Sequence, residues 1–469
     1  MPGNPLRYSA FALPLLFLLG GCSEPKSTLE KVQAQGYITV LTRNVATSYY
    51  EGPSGPTGIE YELAKGFADE LGVELRLVTA TNVSDVLNQL AEGKADFAAA
   101  GLTDTESRRT WVRFTPGYQN ITQQLVYRRG TPRPTNLSEL KGRLEVVSRS
   151  SHAEQLDRSR SEYPNLTWSE NSELNSEDLM AMVSEGTLDY TIADSHELAS
   201  NQLLYPELCA AFDITGEEPL AWAFPKKGQD DTLYLAATAY FNNLHKSGRL
   251  DQILERYYGH MTGFDYVENR TYLDDIRERL PLYQAAFQKA GLDNSVDWRL
   301  LAAMAYQESH WDADAVSRTG VRGIMMLTFV TAQHLGVQER NDPLASIEGG
   351  GRYLRMLLEK IPDRIPNPDR LWLALAAYNV GFSHLEDARI ITQMRGGNPD
   401  TWMDVKANLP LLRKSAWHTK VRNGYARGGE AVKYVENIRS YYDTLVWVTL
   451  QDESRPGINN ALSMSTPAL

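Results

Sequence analysis

The hydrophobic pattern of this 469-residue chain changes once, in the segment Tyr258–Tyr272, so two cores of different kinds are expected. Before this segment, strand-like runs such as Tyr37–Leu41 alternate with amphipathic helical stretches such as Ile59–Leu71. The alternation continues through Val73–Val78, Val83–Leu90, Ala95–Ala100, Leu144–Val147, Leu179–Val183 and Tyr190–Ala193. Such a pattern predicts an α/β module with a parallel-type sheet at residues 29–260.

After the change, the strand-like runs disappear and only helical segments follow. These segments are Ile276–Ala290, Asp297–Ser309, Thr328–Leu335, Ile347–Ile361, Leu371–Asn379 and Ala431–Leu445. They predict an all-α domain at residues 261–450. Residues 451–469 are rich in Ser, Pro, Asn and Ala, and we expect them to form a disordered tail.

The N-terminus resembles a bacterial lipoprotein signal. Arg7 precedes an apolar run, Ala10–Leu19, that is too short to cross a membrane, and small residues lead to Cys22. This predicts a signal peptide at 1–21, lipidation of Cys22 and a linker at 22–28. The alternative is an ordinary secretory signal with a chance cysteine. Ser23 favours anchoring to the outer membrane on its periplasmic face.

Composition excludes several other classes. A net charge of −12 is opposite to the basic surface of a general nucleic-acid binder. The chain has two cysteines, so acylation of Cys22 would leave Cys209 without a partner for an internal disulfide. We expect Cys209 to be a small buried side chain. The sequence shows no Cys/His cluster with metal-ligand spacing, and neither a metal nor a cofactor is expected.

Four segments of the first half resemble, in order, the family 3 bacterial solute-binding proteins. The segments are Gly58–Ala64, Gly101–Tyr118, Leu188–Asp194 and Ser247–Gly259. The resemblance covers most of residues 29–260. It implies two α/β lobes joined by crossing segments, with an amino acid bound in the cleft between them.

The same resemblance implies ligand-binding residues. By position, Arg108 would hold a ligand carboxylate with help from Thr103, and Asp194 would bind the ligand amine. The alternative is that Arg108 and Asp194 are solvated surface charges. Gly101 stands where the family often has a hydroxyl residue, which argues against free amino acids as ligands. A cell-wall peptide, which also carries carboxylates and an amine, is the other candidate.

One carboxyl in the second half lies on an apolar helix face. Trp298, Leu301, Ala305 and Glu308 recur at spacings of three and four, which places them on one side of the helix. Burial and the negative end of the helix dipole would both keep Glu308 protonated near neutral pH, as a glycosidic general acid requires. Taken alone, a glutamate near a helix end is usually a surface charge.

The context of Glu308 favours the catalytic interpretation. The surrounding motifs are Gln307–Trp311, Ala315–Ser317, Gly320–Thr328, Ala376–Gly381, Tyr425–Glu430 and Tyr434–Ile438. In this order they resemble the family 1 lytic transglycosylases, which have a lysozyme-like fold. The expected architecture is therefore a two-lobed, periplasmic-binding-protein-like α/β module followed by an all-α lysozyme-like catalytic domain.

The second resemblance also assigns roles by motif position. Glu308 would be the catalytic acid and base, and Ser317 would hydrogen-bond the reacting sugar or position Glu308. Tyr378 and Asn379 would line the cleft, and Tyr434 would orient the acid or the sugar's N-acetyl group. Met326 departs from the family, which usually has Gln there. His310 is interpreted as structural.

The implied substrate is the glycan of peptidoglycan. An ordinary glycosidase uses two carboxylates, but nothing in the sequence marks Asp312 or Asp314 as the second. The family instead uses the substrate's own N-acetyl group and its 6-hydroxyl, which gives a 1,6-anhydro product without water. The alternatives are a hydrolytic muramidase and a catalytically silent cell-wall-binding protein. The first module is expected to regulate or target the enzyme.

Overall fold

The computed structural model describes residues 26–226, 230–261, 266–317 and 320–454. The predicted signal peptide 1–21 and Cys22 lie outside these residues. The first helix starts at Thr28, the last residue of the predicted linker 22–28. The last helix continues through Ser454, four residues into the predicted tail 451–469. Residues 455–469 lie outside the description.

The first module contains fourteen strands and eight helices among the described residues. The strands are β1 (Tyr37–Arg43), β2 (Tyr50–Gly52), β3 (Gly55–Thr57), β4 (Glu74–Ala80), β5 (Phe97–Ala98), β6 (Val112–Phe114), β7 (Gln119–Ile121), β8 (Gln123–Arg128), β9 (Glu145–Val147), β10 (Ser169–Asn171), β11 (Tyr190–Asp194), β12 (Leu208–Asp213), β13 (Glu218–Leu220) and β14 (Ala223–Pro225). The helices are α1 (Thr28–Gln35), α2 (Ile59–Leu71), α3 (Val83–Ala91), α4 (Ser151–Ser159), α5 (Ser176–Glu185), α6 (Ser195–Asn201), α7 (Thr232–Ser247) and α8 (Arg249–Tyr258).

Two lobes divide these elements. The first is built on a five-stranded sheet in the order β4-β1-β5-β14-β6, in which β1 runs parallel to β4 and β5. Parallel strands need crossover connections, which are usually helices. Helix α2 lies between β1 and β4 in the chain, and α3 lies between β4 and β5. Its chief aromatic core consists of Phe67, Phe97, Trp222 and Phe241.

The second lobe contains the antiparallel sheet β11-β8-β12 and the parallel pair β9–β10, joined by a bridge between Leu144 and Tyr190. The segment Leu179–Val183 lies inside helix α5, with Leu179, Met180 and Val183 buried against the sheet. The antiparallel pair β7–β13 connects the lobes, as crossing segments would. The predicted parallel pairing therefore applies to β4, β1 and β5 in the first lobe and to β9–β10 in the second. Strand β14 pairs antiparallel with β5 and β6, so the sheet of the first lobe is mixed.

The second half is helical throughout its described residues, with isolated bridges at Val316–Arg322 and Arg322–Leu327. Its helices are α9 (Tyr266–Glu278), α10 (Leu280–Asn294), α11 (Trp298–Ser309), α12 (Phe329–His334), α13 (Pro343–Lys360), α14 (Asp369–Val380), α15 (Phe382–Met394), α16 (Trp402–Asn408), α17 (Ser415–His418) and α18 (Gly428–Ser454).

Helix α11 lies at the centre of this domain. All residues of 300–306 are buried, whereas Trp298 is only half-buried. The single apolar face predicted from Trp298, Leu301, Ala305 and Glu308 was therefore wrong in detail, because neighbouring helices surround α11 on every side. Helices α10, α13 and α18 supply most of these contacts. A helix buried all round fixes the position of the residues at its end.

Helix α18 also joins the domain to the first module. Arg439 donates hydrogen bonds of 2.9 Å to the carbonyls of Glu255 and Arg256 at the end of α8. His260 lies 2.7 Å from an Asp443 oxygen, and the rings of Tyr50 and Trp447 are 4.5 Å apart. The same helix therefore packs in the core of the catalytic domain and against the module.

Candidate active site and ligand-binding cleft

Glu308 occupies the last turn of α11. The helix ends when His310 and Trp311 adopt left-handed backbone conformations, with φ of 53° and 56°. The buried Trp311 ring anchors this turn, because its Nε1 donates to the Ala302 carbonyl at 2.8 Å. The His310 ring stacks on Tyr306 at 4.7 Å. These contacts hold the end of α11, and with it Glu308, in a fixed place.

The carboxyl of Glu308 meets a tyrosine from α18. Tyr434 donates its hydroxyl to Oε1 of Glu308 at 2.7 Å, and the Tyr434 side chain is itself buried. Desolvation raises the pKa of Glu308 to about 7, and the Tyr434 hydrogen bond opposes this rise. No charged side chain among the described residues contributes to the shift. The group can therefore carry a proton near neutral pH.

Two further tyrosines pack beside this pair. The Tyr378 ring stacks on Tyr434 with centroids 6.4 Å apart, and Tyr353 from α13 tilts against Tyr378 at 5.0 Å. The Tyr378 hydroxyl donates to the Met325 carbonyl at 3.1 Å. Tyr378 therefore links the acid's partner to the glycine-containing loop before α12. Sequence reasoning missed Tyr353, which lies in none of the recognised motifs.

A run of three glycines in α13 brings this helix close to the same loop. A Cβ on Gly350 would come within 2.5 Å of the Met325 side chain, and one on Gly349 within 2.7 Å of Val337. Glycine inside a helix is costly, so three in succession indicate close packing. The run at positions 349–351 was the sequence signal that could have located α13 beside the site.

The other predicted residues of the site are more peripheral. The Ser317 hydroxyl accepts a hydrogen bond from the Val321 N–H at 3.0 Å, which shapes its loop. Asn379 is exposed beside Tyr378 at the end of α14, and Met326 is half-buried with φ of 46°. Asp312 and Asp314 are both exposed, and Asp312 accepts the Asp314 N–H.

The three predicted ligand residues of the first module line one cavity between the lobes. Thr103, Arg108 and Asp194 are all buried there. Arg108 and Asp194 are therefore not solvated surface charges. Nη1 of Arg108 donates to the Thr103 carbonyl at 3.0 Å. Its Nε and Nη2 are buried without a hydrogen-bond acceptor among the described residues, although Glu154 lies 3.4 Å from Nε.

The second feature of this cleft is an internal partner for Asp194. Nε2 of His152 lies 3.0 Å from Oδ1 of Asp194, and both side chains are buried. Burial acts to raise the pKa of Asp194, but His152, with His196 and Arg43, outweighs it and lowers that pKa. Sequence reasoning missed His152, which carries no motif.

Arg43 explains the glycine at position 101. Its Nη2 forms a buried ion pair with Glu197 at 2.9 Å, and its Nε donates to the Ala100 carbonyl. A Cβ on Gly101 would lie 2.9 Å from Nη2, and the backbone there has φ of +64°. The guanidinium therefore fills the space that a hydroxyl side chain would need.

Two further observations bear on metals and cysteines. Within the described ranges, no group of three or more His, Cys, Asp or Glu side chains is placed to hold a metal ion. Cys209 is half-buried on β12 rather than fully buried, and it forms no disulfide.

Comparison with known proteins identifies the relatives of this arrangement. Residues 38–260 match the family described as bacterial extracellular solute-binding proteins, family 3, and residues 285–399 match the transglycosylase SLT domain. A membrane-bound lytic murein transglycosylase F 1 from Alkalilimnicola ehrlichii is 50% identical, and the match covers 91% of this chain and 86% of the relative. The chain belongs to the membrane-bound lytic murein transglycosylase F family.

Other members of that family agree. The transglycosylase F proteins of Pseudomonas fluorescens and Serratia proteamaculans are 46% and 44% identical. The matches cover 93% and 92% of this chain and 90% and 88% of those relatives. The two family models, matched over the two halves of this chain, confirm the predicted fold class. The alternatives of a muramidase and a silent binding protein gain no support from these names.

Solved structures resemble the first module. The ancestral amino acid-binding protein AncCDT-1 is 23% identical, covering 50% of this chain and all of that one, with a TM-score of 0.44. Holo ArgBP from T. maritima is 24% identical, covering 49% and 98%, with a TM-score of 0.42. Although the family is called membrane-bound, no helix in the described part of this chain has the length and apolarity needed to span a bilayer.

Proposed function

We propose that this member of the family is a peptidoglycan lytic transglycosylase that cleaves the MurNAc–GlcNAc bond and leaves 1,6-anhydromuramic acid. The observation that carries the proposal is Glu308, a carboxyl with a pKa of about 7 that is held by Tyr434 and whose pKa is not shifted by any other carboxylate of the described residues. A two-carboxylate glycosidase needs its second acidic group within about 10 Å. Asp312 and Asp314 are exposed, and the Asp312 carboxylate accepts the Asp314 N–H instead.

In the first step, Glu308 acts as the general acid. Tyr434 occupies Oε1, so the proton on the other oxygen can be given to the glycosidic oxygen as the C–O bond breaks. The leaving sugar departs as a neutral alcohol. The substrate's N-acetyl oxygen forms a bond to the anomeric carbon and takes up the positive charge that develops there.

In the second step, the now ionised Glu308 acts as the base. It removes the proton from the muramic acid 6-hydroxyl, whose oxygen attacks the anomeric carbon and displaces the N-acetyl oxygen. Glu308 is reprotonated, so atoms and protons balance without water. The Tyr434 hydroxyl stabilises the carboxylate between the two steps by a charge-assisted hydrogen bond.

The remaining site residues would act on the substrate's position. Tyr378 and Asn379, at the end of α14, would line the groove, and Tyr378 also fixes the Met325 carbonyl. Ser317 would contact the reacting sugar from its loop. Met326, at the position where Gln is usual, offers an apolar side chain in place of an amide.

Product analysis tests this proposal. Purified wall glycan is digested by the wild type, by Glu308→Gln and by Glu359→Gln, a control at an exposed glutamate on α13. We expect products lighter by one water than hydrolysis products from the wild type and the control, and none from Glu308→Gln. Reducing-end products would refute the transglycosylase chemistry.

The first module is proposed to bind a small carboxylate ligand, an amino acid or a wall peptide. Arg108 would receive the carboxylate on Nη2 and Nε, neither of which has a hydrogen-bond acceptor among the described residues, and Thr103 and Asp194 would line the same cleft. The cavity measures about 20 Å³, which is enough for about one water, so the lobes must separate to admit a ligand. Arg108→Gln should lose binding, and exposed Arg109→Gln should keep it.

Helix α18 contacts both the catalytic acid and the first module. It carries Tyr434, the partner of the acid, and also Arg439, which binds the end of α8. We therefore expect the state of the cleft to alter activity, as a coupling between two sites. Activity on wall glycan would be compared with and without purified stem peptides, in the wild type and in Arg108→Gln. No effect of the peptides in the wild type would refute this regulation by wall peptides.

In this chain, membrane association would come from lipidation of Cys22. Acylation of this residue after removal of residues 1–21 would anchor the protein to the outer membrane, facing the periplasm. Cys22→Ser should abolish labelling by radioactive palmitate and move the protein to the soluble fraction. Labelling of the variant at the wild-type level would contradict the anchor.

A further inference from the structure

We propose that His152 makes the cleft of the first module select carboxylates that carry no free α-ammonium group, such as N-acylated amino acids. The inference rests on the proposed function, since it takes Arg108 as the group that binds the ligand carboxylate. It adds the chemical class of the ligand and a specificity residue that is not among the predicted ligand residues.

The position of Asp194 suits a ligand-binding group. It ends β11 and precedes α6, yet its side chain does not cap that helix. Its carboxylate is directed instead to Nε2 of His152, at 3.0 Å. Because the pKa of Asp194 is lowered, the carboxylate is ionised and accepts this bond, so Nε2 carries the hydrogen.

The other charges of the cleft are also matched within the protein. Arg43 is paired with Glu197 across the two lobes, at 2.9 Å. The Arg108 guanidinium differs, because two of its nitrogens are buried without a hydrogen-bond acceptor in the described part of the chain. Glu154 approaches this guanidinium only at Nε, at 3.4 Å, so Nη2 is left to receive a ligand anion, while Asp194 already has a donor.

The ammonium group of a free amino acid would be a second donor to Asp194, which already accepts a hydrogen bond from His152. The ammonium could reach Asp194 in two ways, and in the first it displaces the imidazole of His152 from Oδ1. The Nδ1 of that ring is already buried without a partner, so displacement would leave both ring nitrogens unpaired. If the imidazole stayed in place, it and the ammonium would both bind the Asp194 carboxylate. The ammonium would then lose much of its hydration on burial.

An acylated nitrogen avoids this conflict. An amide N–H is neutral, so it requires no dedicated counter-charge and loses less hydration on burial. The His152–Asp194 contact can then remain intact while the carboxylate binds Arg108. The contact also crosses no lobe boundary, since His152 is on α4 and Asp194 ends β11, both in the second lobe. It therefore survives the opening that admits the ligand.

Calorimetry on the full-length protein tests the inference. The probes are the L-amino acids and their Nα-acetyl counterparts, titrated into the wild type, His152→Ala, His152→Gln and Arg108→Gln. We expect the wild type to bind at least one acetylated member about tenfold more tightly than its free partner. His152→Ala should shift that ratio by about tenfold toward the free amino acid, because Asp194 becomes available to the ammonium.

The second variant guards against a folding defect. Gln at position 152 can still donate to Asp194, so His152→Gln should keep the wild-type preference, and thermal unfolding shows whether each variant is folded. Wild-type preference for free amino acids, or an unchanged ratio in folded His152→Ala, would overturn the inference alone. Unaltered binding in Arg108→Gln, or no binding of any probe by the wild type, would overturn the proposed carboxylate site and the inference with it.

Discussion

The Tyr434 hydroxyl donates a 2.7 Å hydrogen bond to Glu308 from a position 126 residues further along the chain. This contact joins the end of the buried helix α11 to helix α18, which also contacts the first module. The acid is therefore held both by the local contacts at the end of α11 and by this long-range hydrogen bond. Tyr434 also lowers the pKa of Glu308 against the larger effect of burial.

The pH dependence of the reaction follows from the protonation of Glu308. The first step needs the protonated acid, and burial raises its pKa to about 7. We expect kcat/KM to be level below this pKa and to fall about tenfold per pH unit above it. Initial rates of glycan release across pH 5 to 9 measure this. A fall in kcat/KM with its midpoint near the ordinary glutamate pKa would show that Glu308 is not the acid that titrates.

Removal of the Tyr434 hydroxyl should shift the midpoint of the fall in kcat/KM with rising pH. The hydrogen bond lowers the pKa of Glu308 against the larger effect of burial, so Tyr434→Phe should shift the midpoint to higher pH. The rate should also fall, by about tenfold to a hundredfold, since the carboxylate formed in the first step loses its donor. The control is Tyr425→Phe, at an exposed tyrosine. A lower rate with an unmoved midpoint would mean that Tyr434 acts only through packing.

The same raised pKa predicts a stability change. Glu308 has a higher pKa in the folded state than its ordinary value of 4.5, so its contribution to stability is fully present below about pH 4.5 and is lost as pH rises through about 7. Glu308→Gln cannot ionise. Relative to the wild type, it should therefore gain about 2–3 kcal/mol in free energy of unfolding between pH 4 and pH 8. Urea unfolding at both pH values measures the difference, and an equal offset at the two would contradict it.

Contact between the module and α18 should contribute to stability. Arg439 is buried, stacks 4.0 Å from the Trp372 ring and binds the two carbonyls at the end of α8. Arg439→Ala should lower the free energy of unfolding by about 3 kcal/mol, because Glu255 loses one of its cationic partners and the carbonyls lose their donors. Exposed Arg427→Ala, as the matched control, should change it by less than about 0.5 kcal/mol.

The sequence predicted the division into an α/β module and a helical domain because the hydrophobic period changes at one place in the chain. Through the family resemblance, it also predicted that Tyr434 would orient Glu308 or the sugar's N-acetyl group and that Tyr378 would line the cleft. It did not predict Tyr353 or His152. Both act through partners distant in sequence, and neither has a local pattern that differs from an ordinary helical residue. Contacts of this kind are set by tertiary packing, which periodicity does not encode.

Periodicity predicted the last helix at Ala431–Leu445, which is shorter than the helix observed. The tail was placed after residue 450 from composition alone, yet α18 continues to Ser454. Trp447 near that end packs on Tyr50 of the module. Trp447 lies outside the predicted segment Ala431–Leu445, so periodicity gave no signal for this contact.

The most direct test of the account is digestion of purified glycan in water labelled with heavy oxygen, followed by mass spectrometry of the new muramic acid ends. If Glu308 directs the 6-hydroxyl onto the anomeric carbon, those ends carry no label and are anhydro sugars, and Glu308→Gln releases none. Incorporation of one labelled oxygen at each new end would show that water is the nucleophile and would contradict the transglycosylase mechanism.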